Sequence, residues 1–145
     1  MGVVTGGCRR VLHHGEEMKL VPCTWNEALP ALETALGDYT KEAYREVLVG
    51  REATYRVADS YALLRVEQHH NGELELVAVA FAGDLKTGAL ALFEYGRQLG
   101  CRFIRCHTMR PAQLRYLRMI GLPVFEDGKD GEGYLMIKAD YGREE

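Results

Sequence analysis

The sequence predicts a single α/β domain with a mixed β-sheet and helices on both faces of that sheet. Strand-like and helix-like patterns follow one another in the order β-α-α-β-β-β-α-β-α-β-β. Strands that alternate with helices, as in the second half, are typical of parallel connections. The chain has 145 residues, of which 47% are hydrophobic, and this is enough for one domain with one core. Neither an internal repeat nor a linker marks a second domain.

The first predicted elements are a strand and a helix. Residues 18–23 alternate between polar and apolar and predict the strand. Thr24 and Glu27 have the spacing of a capping box, so a helix is expected after Thr24. Gly37 is expected to end it. Pro30 lies deep in this segment, and we expect it to kink the helix or to move its start later.

A second helix is expected from Thr40, as its N-cap, to Gly50. The dipeptide Asn71–Gly72 is a strong hairpin signal. It separates the last two of three expected strands, which cover residues 54–57, 61–66 and 73–81.

The second half predicts two helices among the remaining strands. Asp84 is expected to cap a long helix that runs to Gln98. Pro111 suits the start of the last helix, which Gly121 should end. We expect a charged, glycine-rich loop over residues 126–133, and strands at residues 101–106, 124–125 and 134–139.

Composition excludes several classes of function. The formal net charge of −3 argues against broad nucleic-acid binding, which needs a strong positive field. No apolar run approaches the ~20 residues of a membrane span, and no apolar core follows Arg9 and Arg10 as it would in a signal peptide.

The four cysteines form no C-x-x-C pair, so we expect reduced thiols and a cytoplasmic location. The adjacent pairs His13–His14 and His69–His70 have no cysteine or carboxylate at the spacing of a metal site, so no metal site is expected.

Three segments follow from this pattern. Residues 1–17 are expected to be a flexible N-terminal arm that serves as an assembly element. Residues 18–140 are expected to form the domain. Residues 141–145 are expected to be a frayed tail.

Two stretches resemble a known family. Residues 94–105 resemble the end of the central helix and the following strand of the GNAT (Gcn5-related) N-acetyltransferases, and residues 114–125 resemble their last helix. The resemblance covers residues 18–140. It implies the GNAT fold, acetyl-CoA as the cofactor of an active enzyme, and transfer of an acyl group to a primary amine.

Residues 112–138 also resemble a narrower group, the GNAT-like internal virion or assembly proteins of short-tailed phages. The shared phrase consists of Leu114–Gly121, Val124–Phe125, Lys129–Gly131 and Tyr134. This resemblance implies a role in virion assembly or structure. Such a role would depend on protein contacts with virion components or with further copies of the chain.

The family holds the pyrophosphate of acetyl-CoA with a Gln/Arg-x-x-Gly-x-Gly/Ala loop before a helix, where bare amides bind the anion. In the matching segment only Gly83 fits. Ala80 replaces the polar first residue, and Leu85 replaces the last small one. Asp84 brings a carboxylate, and we expect this side chain to occupy the amides itself.

A second register of the cofactor loop uses Lys86, Thr87 and Gly88, which supply a cation and a small residue. It requires the helix to start about one turn later. If acetyl-CoA is bound at all, the candidate residues are therefore Gly83, Leu85, Lys86, Thr87 and Gly88.

The resemblance also implies a catalytic acid and a catalytic base. The family often uses a tyrosine of the last helix as the acid. Leu117 stands there, and its neighbour Tyr116 points about 100° away. Glu73 and Glu75 are the candidate bases, although their alternation favours a solvent-facing position. His107 is expected to be structural or exposed.

Two functions remain open from the sequence. The first is a phage-type GNAT-like protein that has lost its chemistry, needs no cofactor and acts through protein contacts. The second is an acetyl-CoA-dependent N-acetyltransferase acting on a primary amine.

Overall fold

The described residues form an eight-stranded mixed sheet, and the mixed sheet with helices on both faces is as predicted. The computed structural model describes residues 3–4 and 19–143. The strand order is β2-β3-β4-β5-β6-β8-β7, with β1 pairing to β5 outside this order. The strands are β1 (Val3–Val4), β2 (Val21–Pro22), β3 (Glu52–Val57), β4 (Ser60–Gln68), β5 (Leu74–Ala82), β6 (Phe103–Thr108), β7 (Val124–Lys129) and β8 (Leu135–Asp140). The helices are α1 (Trp25–Leu36), α2 (Thr40–Leu48), α3 (Leu85–Gln98) and α4 (Ala112–Met119).

Helix α1 begins where its capping residue predicts. The Thr24 hydroxyl accepts the amide N–H of Glu27 at 3.1 Å. The helix starts at Trp25 and contains Pro30 in its interior, so the expectation of a later start is wrong. The buried side of the helix, formed by Ala28, Leu32 and Leu36, packs against strands β4 and β5.

Two boundaries in the first half differ from the prediction. Thr40 is the first residue of α2 rather than its cap, because its hydroxyl donates to the Gly37 carbonyl at 2.7 Å across a 3-10 turn. Within the described residues, the first predicted strand, expected over residues 18–23, is reduced to Val21–Pro22. Cys23 still pairs with Thr54 through its amide, but the chain then turns into the cap of α1.

The hairpin between β7 and β8 has a shorter loop than expected. Strand β7 continues to Lys129 through a register shift after Glu126. Asp130 closes the tip, since its Oδ1 accepts the amides of Glu132 and Tyr134 at 2.8 and 3.0 Å. The charged stretch is therefore largely strand, with an ordered turn at its end.

Strands β5 and β6 run in parallel and then separate. Their pairing covers Glu75 to Ala78 on β5 and stops there. At the same level the β4–β5 register shifts, so that Leu63 pairs with Ala80 while Leu64 pairs with Ala78. This β-bulge bends the strand, and β5 leaves β6 beyond it.

The ends of the chain extend the domain slightly. Residues 141–143 of the predicted tail form a 3-10 turn, in which the Tyr141 hydroxyl donates to the Phe93 carbonyl. Most of the predicted N-terminal arm lies outside the described residues. Within residues 3–4 and 19–143, no helix has both the length and the apolar character to cross a bilayer.

Candidate functional site

An open groove lies between the α1–α2 connection and the β7–β8 hairpin. Its volume is about 490 Å³. The floor is formed by Val77 and Val79 of β5, which is the strand that bends away from β6. Tyr39 and Tyr134 line it from opposite sides. We call this space the acidic groove for the charges described next.

Carboxylates dominate the lining of the acidic groove. Asp38 and Glu42 come from the helical side, and Asp130 and Glu132 come from the hairpin. The cationic side chain of Arg65 also reaches the groove, but Glu52 and Glu67 both form ion pairs with it at 2.9 Å. The groove therefore favours a cationic ligand.

His107 and Asp130 form a hydrogen-bonded pair at the edge of this groove. The Arg105 guanidinium donates from Nε to His107 Nε2 at 2.9 Å. Because an arginine can only donate, Nε2 is the acceptor and Nδ1 carries the ring proton. Nδ1 then donates to Asp130 Oδ2 at 2.7 Å. This hydrogen bond lowers the pKa of the Asp130 carboxyl below its ordinary value. The sequence suggested no role for this pair, because 22 residues separate its members.

We expect His107→Ala to raise the pKa of Asp130 towards the ordinary value of an aspartate. The wild-type pair adds stability above the unfolded-state pKa of the carboxyl, and this stability is lost as the pH falls through the lower folded-state pKa. The variant should flatten that acidic part of the stability profile. A carboxyl-carbon NMR titration measures the change, with His70→Ala as the control. An unchanged Asp130 titration in His107→Ala would contradict the pair.

A second polar cluster supports the groove from the side of β3. The Tyr39 hydroxyl donates to Glu52 Oε2 at 2.8 Å, and Arg65 donates to the same oxygen at 2.9 Å. Burial raises the pKa of both Glu52 and Tyr39. Tyr39 is thereby fixed as part of the groove wall.

The structure separates the three predicted catalytic residues. Glu73 lies on the surface before β5, where Arg102 donates to it at 2.9 Å. Tyr116 packs half-buried against the core between α3, α4 and β8. Glu75 is completely buried. Neither Glu73, Glu75 nor Tyr116 is among the residues that line the acidic groove.

The solvent-facing position predicted for Glu75 is wrong, because cations from other strands cover it. Arg105 on β6 donates to Oε1 at 2.5 Å, and Lys138 on β8 lies 3.3 Å from Oε2. His69 Nε2 is 3.2 Å from Oε1. Arg105 and Lys138 come from β6, which lies beside β5, and from β8, which lies beyond β6, and the sequence pattern does not give this strand order.

Asp84 occupies the start of α3, as the sequence predicts. Its side chain accepts the Lys86 amide at 3.2 Å and the Thr87 hydroxyl at 2.9 Å. Its own amide donates to the Ser60 hydroxyl at 2.9 Å. The helix begins at Leu85, so the later helix start that the second register requires does not occur.

Both candidate glycines of the cofactor loop are explained by packing. Gly83 has φ of 134° and lies against Ser60, whose Oγ would be 2.1 Å from an added Cβ. Gly88 lies against the Phe81 ring, which would be 2.1 Å from an added Cβ. Leu85 packs into the core. Neither glycine therefore indicates space reserved for a phosphate.

The residues at this turn do not fit the pyrophosphate of acetyl-CoA. A carboxylate accepts the amide of the first turn, where an anion would need bare donors. Between α3, α4 and the separated strands there is a cavity of about 60 Å³, well below the ~150 Å³ that holds a benzene ring. Among the described residues, no group of three or more His, Cys, Asp or Glu side chains is arranged to hold a metal ion.

Several solved structures with the same fold are acetyltransferases. An acetyltransferase from Bacillus subtilis in complex with CoA matches with a TM-score of 0.57 and 18% identity, over 84% of this chain and 97% of that chain. Naa50 from Arabidopsis thaliana, in complex with the bisubstrate analogue CoA-Ac-MVNAL, matches with a TM-score of 0.56 and 12% identity, over 85% and 98% of the two chains. The chain has the GNAT acetyltransferase fold.

Other comparisons define how far the likeness to GNAT proteins extends. A GNAT-family acetyltransferase from Listeria monocytogenes matches with a TM-score of 0.55 and 10% identity, over 90% of this chain and 98% of that one. No protein-family model matches the chain, and no curated protein matches it. At these identities the GNAT likeness concerns the fold. Nothing in the comparisons supports the narrower resemblance to phage virion proteins.

Proposed function

We propose that this chain is a GNAT-fold binding protein that has lost the acyl-CoA half of the site and acts through protein contacts. The observation that carries the proposal is Asp84, whose carboxylate caps α3 where a diphosphate would have to bind. At 4 Å the repulsion between two unit charges is about 1 kcal/mol in water and about 4 kcal/mol near a protein surface. A diphosphate would meet this repulsion and would also have to displace the cap.

The acidic groove indicates the chemistry of the partner. Four carboxylates line it above an apolar floor. Such a surface suits a basic segment of a protein, whose lysine or arginine stem packs on the floor while its charge meets the carboxylates. The proposed partner is therefore a protein with an exposed basic segment.

Calorimetric titration with acetyl-CoA tests the loss of cofactor binding. We expect no binding by the wild type up to millimolar concentration. Asp84→Asn keeps a capping side chain and removes the charge, whereas Asp84→Gly removes both. If Asp84 is the obstacle, affinity should rise from wild type to Asp84→Asn to Asp84→Gly. Micromolar binding by the wild type would overturn the proposal.

One observation favours the alternative, an N-acetyltransferase that acts on a primary amine. His107, Asp130 and Tyr134 stand together at the groove, and a histidine oriented by a carboxylate acts as a base once its Nε2 has released the Arg105 guanidinium that donates to it. Release of free CoA thiol from acetyl-CoA in the presence of amines would establish this activity. It should then be lost in His107→Ala and retained in His70→Ala.

The cellular setting of the proposal follows from the phage-like phrase over residues 112–138. We extend the proposal to virion assembly or structure, with virion components as partners, and to the cytoplasm of an infected host. Mass spectrometry of purified particles tests this part separately. Absence of the chain from particles and from their assembly intermediates would remove the virion role and leave the binding function in place.

A further inference from the structure

The N-terminal strand β1 occupies one edge of β5 beyond the point where β6 leaves it. Val3 pairs with Phe81 and Val4 pairs with Ala82, in parallel. A strand has two hydrogen-bonding edges. At Phe81 and Ala82, the first edge is taken by β4, through Ala62 and Tyr61. Strand β1 must therefore lie on the second edge, which faces β6.

That edge would otherwise be unpaired. The β5–β6 ladder ends at Ala78 and Cys106, and the β4–β5 register shifts at Val79, directly after this point. The last residues of β5 thus present backbone donors and acceptors to a gap between two parallel strands. An unpaired edge of this kind is a template for an added strand.

The position of β1 brings it next to the start of α3. Ala82, its pairing partner, is directly followed by Gly83 and by Asp84, which caps the helix. Strand β1 also contacts α1, so it is held from the helical side as well. The N-terminal strand therefore occupies the β6-facing edge of β5 directly before the turn at Gly83.

Chain length alone does not force β1 into this place. Residues 5–20 connect β1 to β2, and an extended chain covers ~3.3–3.6 Å per residue, so the N-terminus could reach many surfaces. The two adjacent valines are β-branched and favour an extended strand. Among the surfaces within reach, the structure places these two residues on β5, where they pair with Phe81 and Ala82.

We propose that the edge of β5 at Phe81–Ala82 is a binding site for an extended peptide backbone, and that its occupant is the chain's own N-terminal strand. The site goes beyond the proposed function, because it depends on backbone pairing rather than on the charge of Asp84. Any extended ligand that needs the gap between β5 and β6 must first displace this strand.

Hydrogen–deuterium exchange of the full chain tests the site. In the double variant Val3→Pro/Val4→Pro, neither residue can donate an amide or hold the pairing. We expect the amides of residues 79–84 that bond neither to β4 nor to Ser60 to exchange at least tenfold faster than in wild type. The matched variant Val3→Thr/Val4→Thr keeps both amides and a β-branched shape, and it should exchange like wild type. Protection of α3 serves as the folding control in both.

Three outcomes would overturn the proposal or separate it from the proposed function. Equal exchange of residues 79–84 in all forms means that β1 does not cover this edge. If light scattering shows dimers of the wild type and of the threonine variant that the proline variant loses, the occupant is a second copy's strand rather than the chain's own. If the proline variant shows faster exchange and also binds acetyl-CoA with Asp84 in place, the strand site stands and the proposed role of Asp84 fails.

Discussion

Glu75→Ala is expected to lower the free energy of unfolding by about 3–5 kcal/mol, the cost of removing one partner from a buried ion pair. The Glu75 side chain is 0% exposed, and those of Arg105 and Lys138 are only 15% and 17% exposed. The substitution leaves these two cations close together with little water to screen them. Urea unfolding measures the change.

Glu73→Ala is the matched control for this substitution. Glu73 and Glu75 lie two residues apart and carry the same charge, but Glu73 pairs with Arg102 at the surface. Exposed pairs of this kind contribute about 0–1 kcal/mol. If Glu75→Ala destabilised the protein no more than Glu73→Ala, the covered ion cluster would not be a stabilising element of the sheet.

A third variant separates the buried charge from packing. Glu75→Leu combined with Arg105→Met replaces one ion pair with apolar groups of similar size. Replacement of a buried pair by well-packed apolar residues is often neutral or stabilising, so the double variant should be more stable than Glu75→Ala. A double variant less stable than Glu75→Ala would show that Arg105 has other essential contacts, to Glu67 and His107.

Gly83→Ala is expected to be the second most damaging substitution. With φ of 134° the residue is in a region that L side chains rarely adopt, and a Cβ would lie 2.1 Å from Ser60 Oγ and 2.8 Å from Ser60 Cα. Backbone strain costs about 1–3 kcal/mol, and overpacking of a tight contact costs about 1–3 kcal/mol more. The chain cannot relieve the clash by side-chain rotation alone, because one of the close atoms is backbone.

Gly100→Ala provides the control for the backbone part of that cost. Gly100 has φ of 79°, but nothing lies within 4 Å of an added Cβ. Its substitution should therefore cost about 1–2 kcal/mol, the strain of a left-handed residue. Thermal unfolding of both variants measures the difference. Equal losses in Gly83→Ala and Gly100→Ala would contradict the packing of Gly83 against Ser60.

These variants also bear on function, because Gly83 and Gly88 were candidate cofactor residues. A glycine kept only for a phosphate should lose, in the absence of the ligand, no more stability than the backbone strain that Gly100→Ala measures. Both candidate glycines are instead closed in by Ser60 and Phe81 within the protein. A loss of stability in Gly83→Ala well beyond that of Gly100→Ala would support the proposal that this turn serves packing.

Features fixed by neighbours in the chain could be predicted from the sequence. Thr24 and Asp84 were predicted as N-caps and are N-caps, because a cap depends on a side chain and the amides two or three residues away. The order of strands and helices could also be predicted, because the hydrophobic period of a segment is a local property of the sequence. Thr40 was predicted as an N-cap but is the first residue of α2, because the 3-10 turn over Gly37–Tyr39 leads directly into this helix.

The sequence by itself determined the fold class, most helix boundaries and the carboxylate at the start of α3. Only the tertiary structure decided which charges meet. Alternation along β5 placed Glu73 and Glu75 alike, yet β6 and β8 bring Arg105 and Lys138 over one of them. The acidic groove and the pairing of β1 with β5 likewise join segments far apart in the chain. Such contacts depend on strand order and register, which local patterns do not encode.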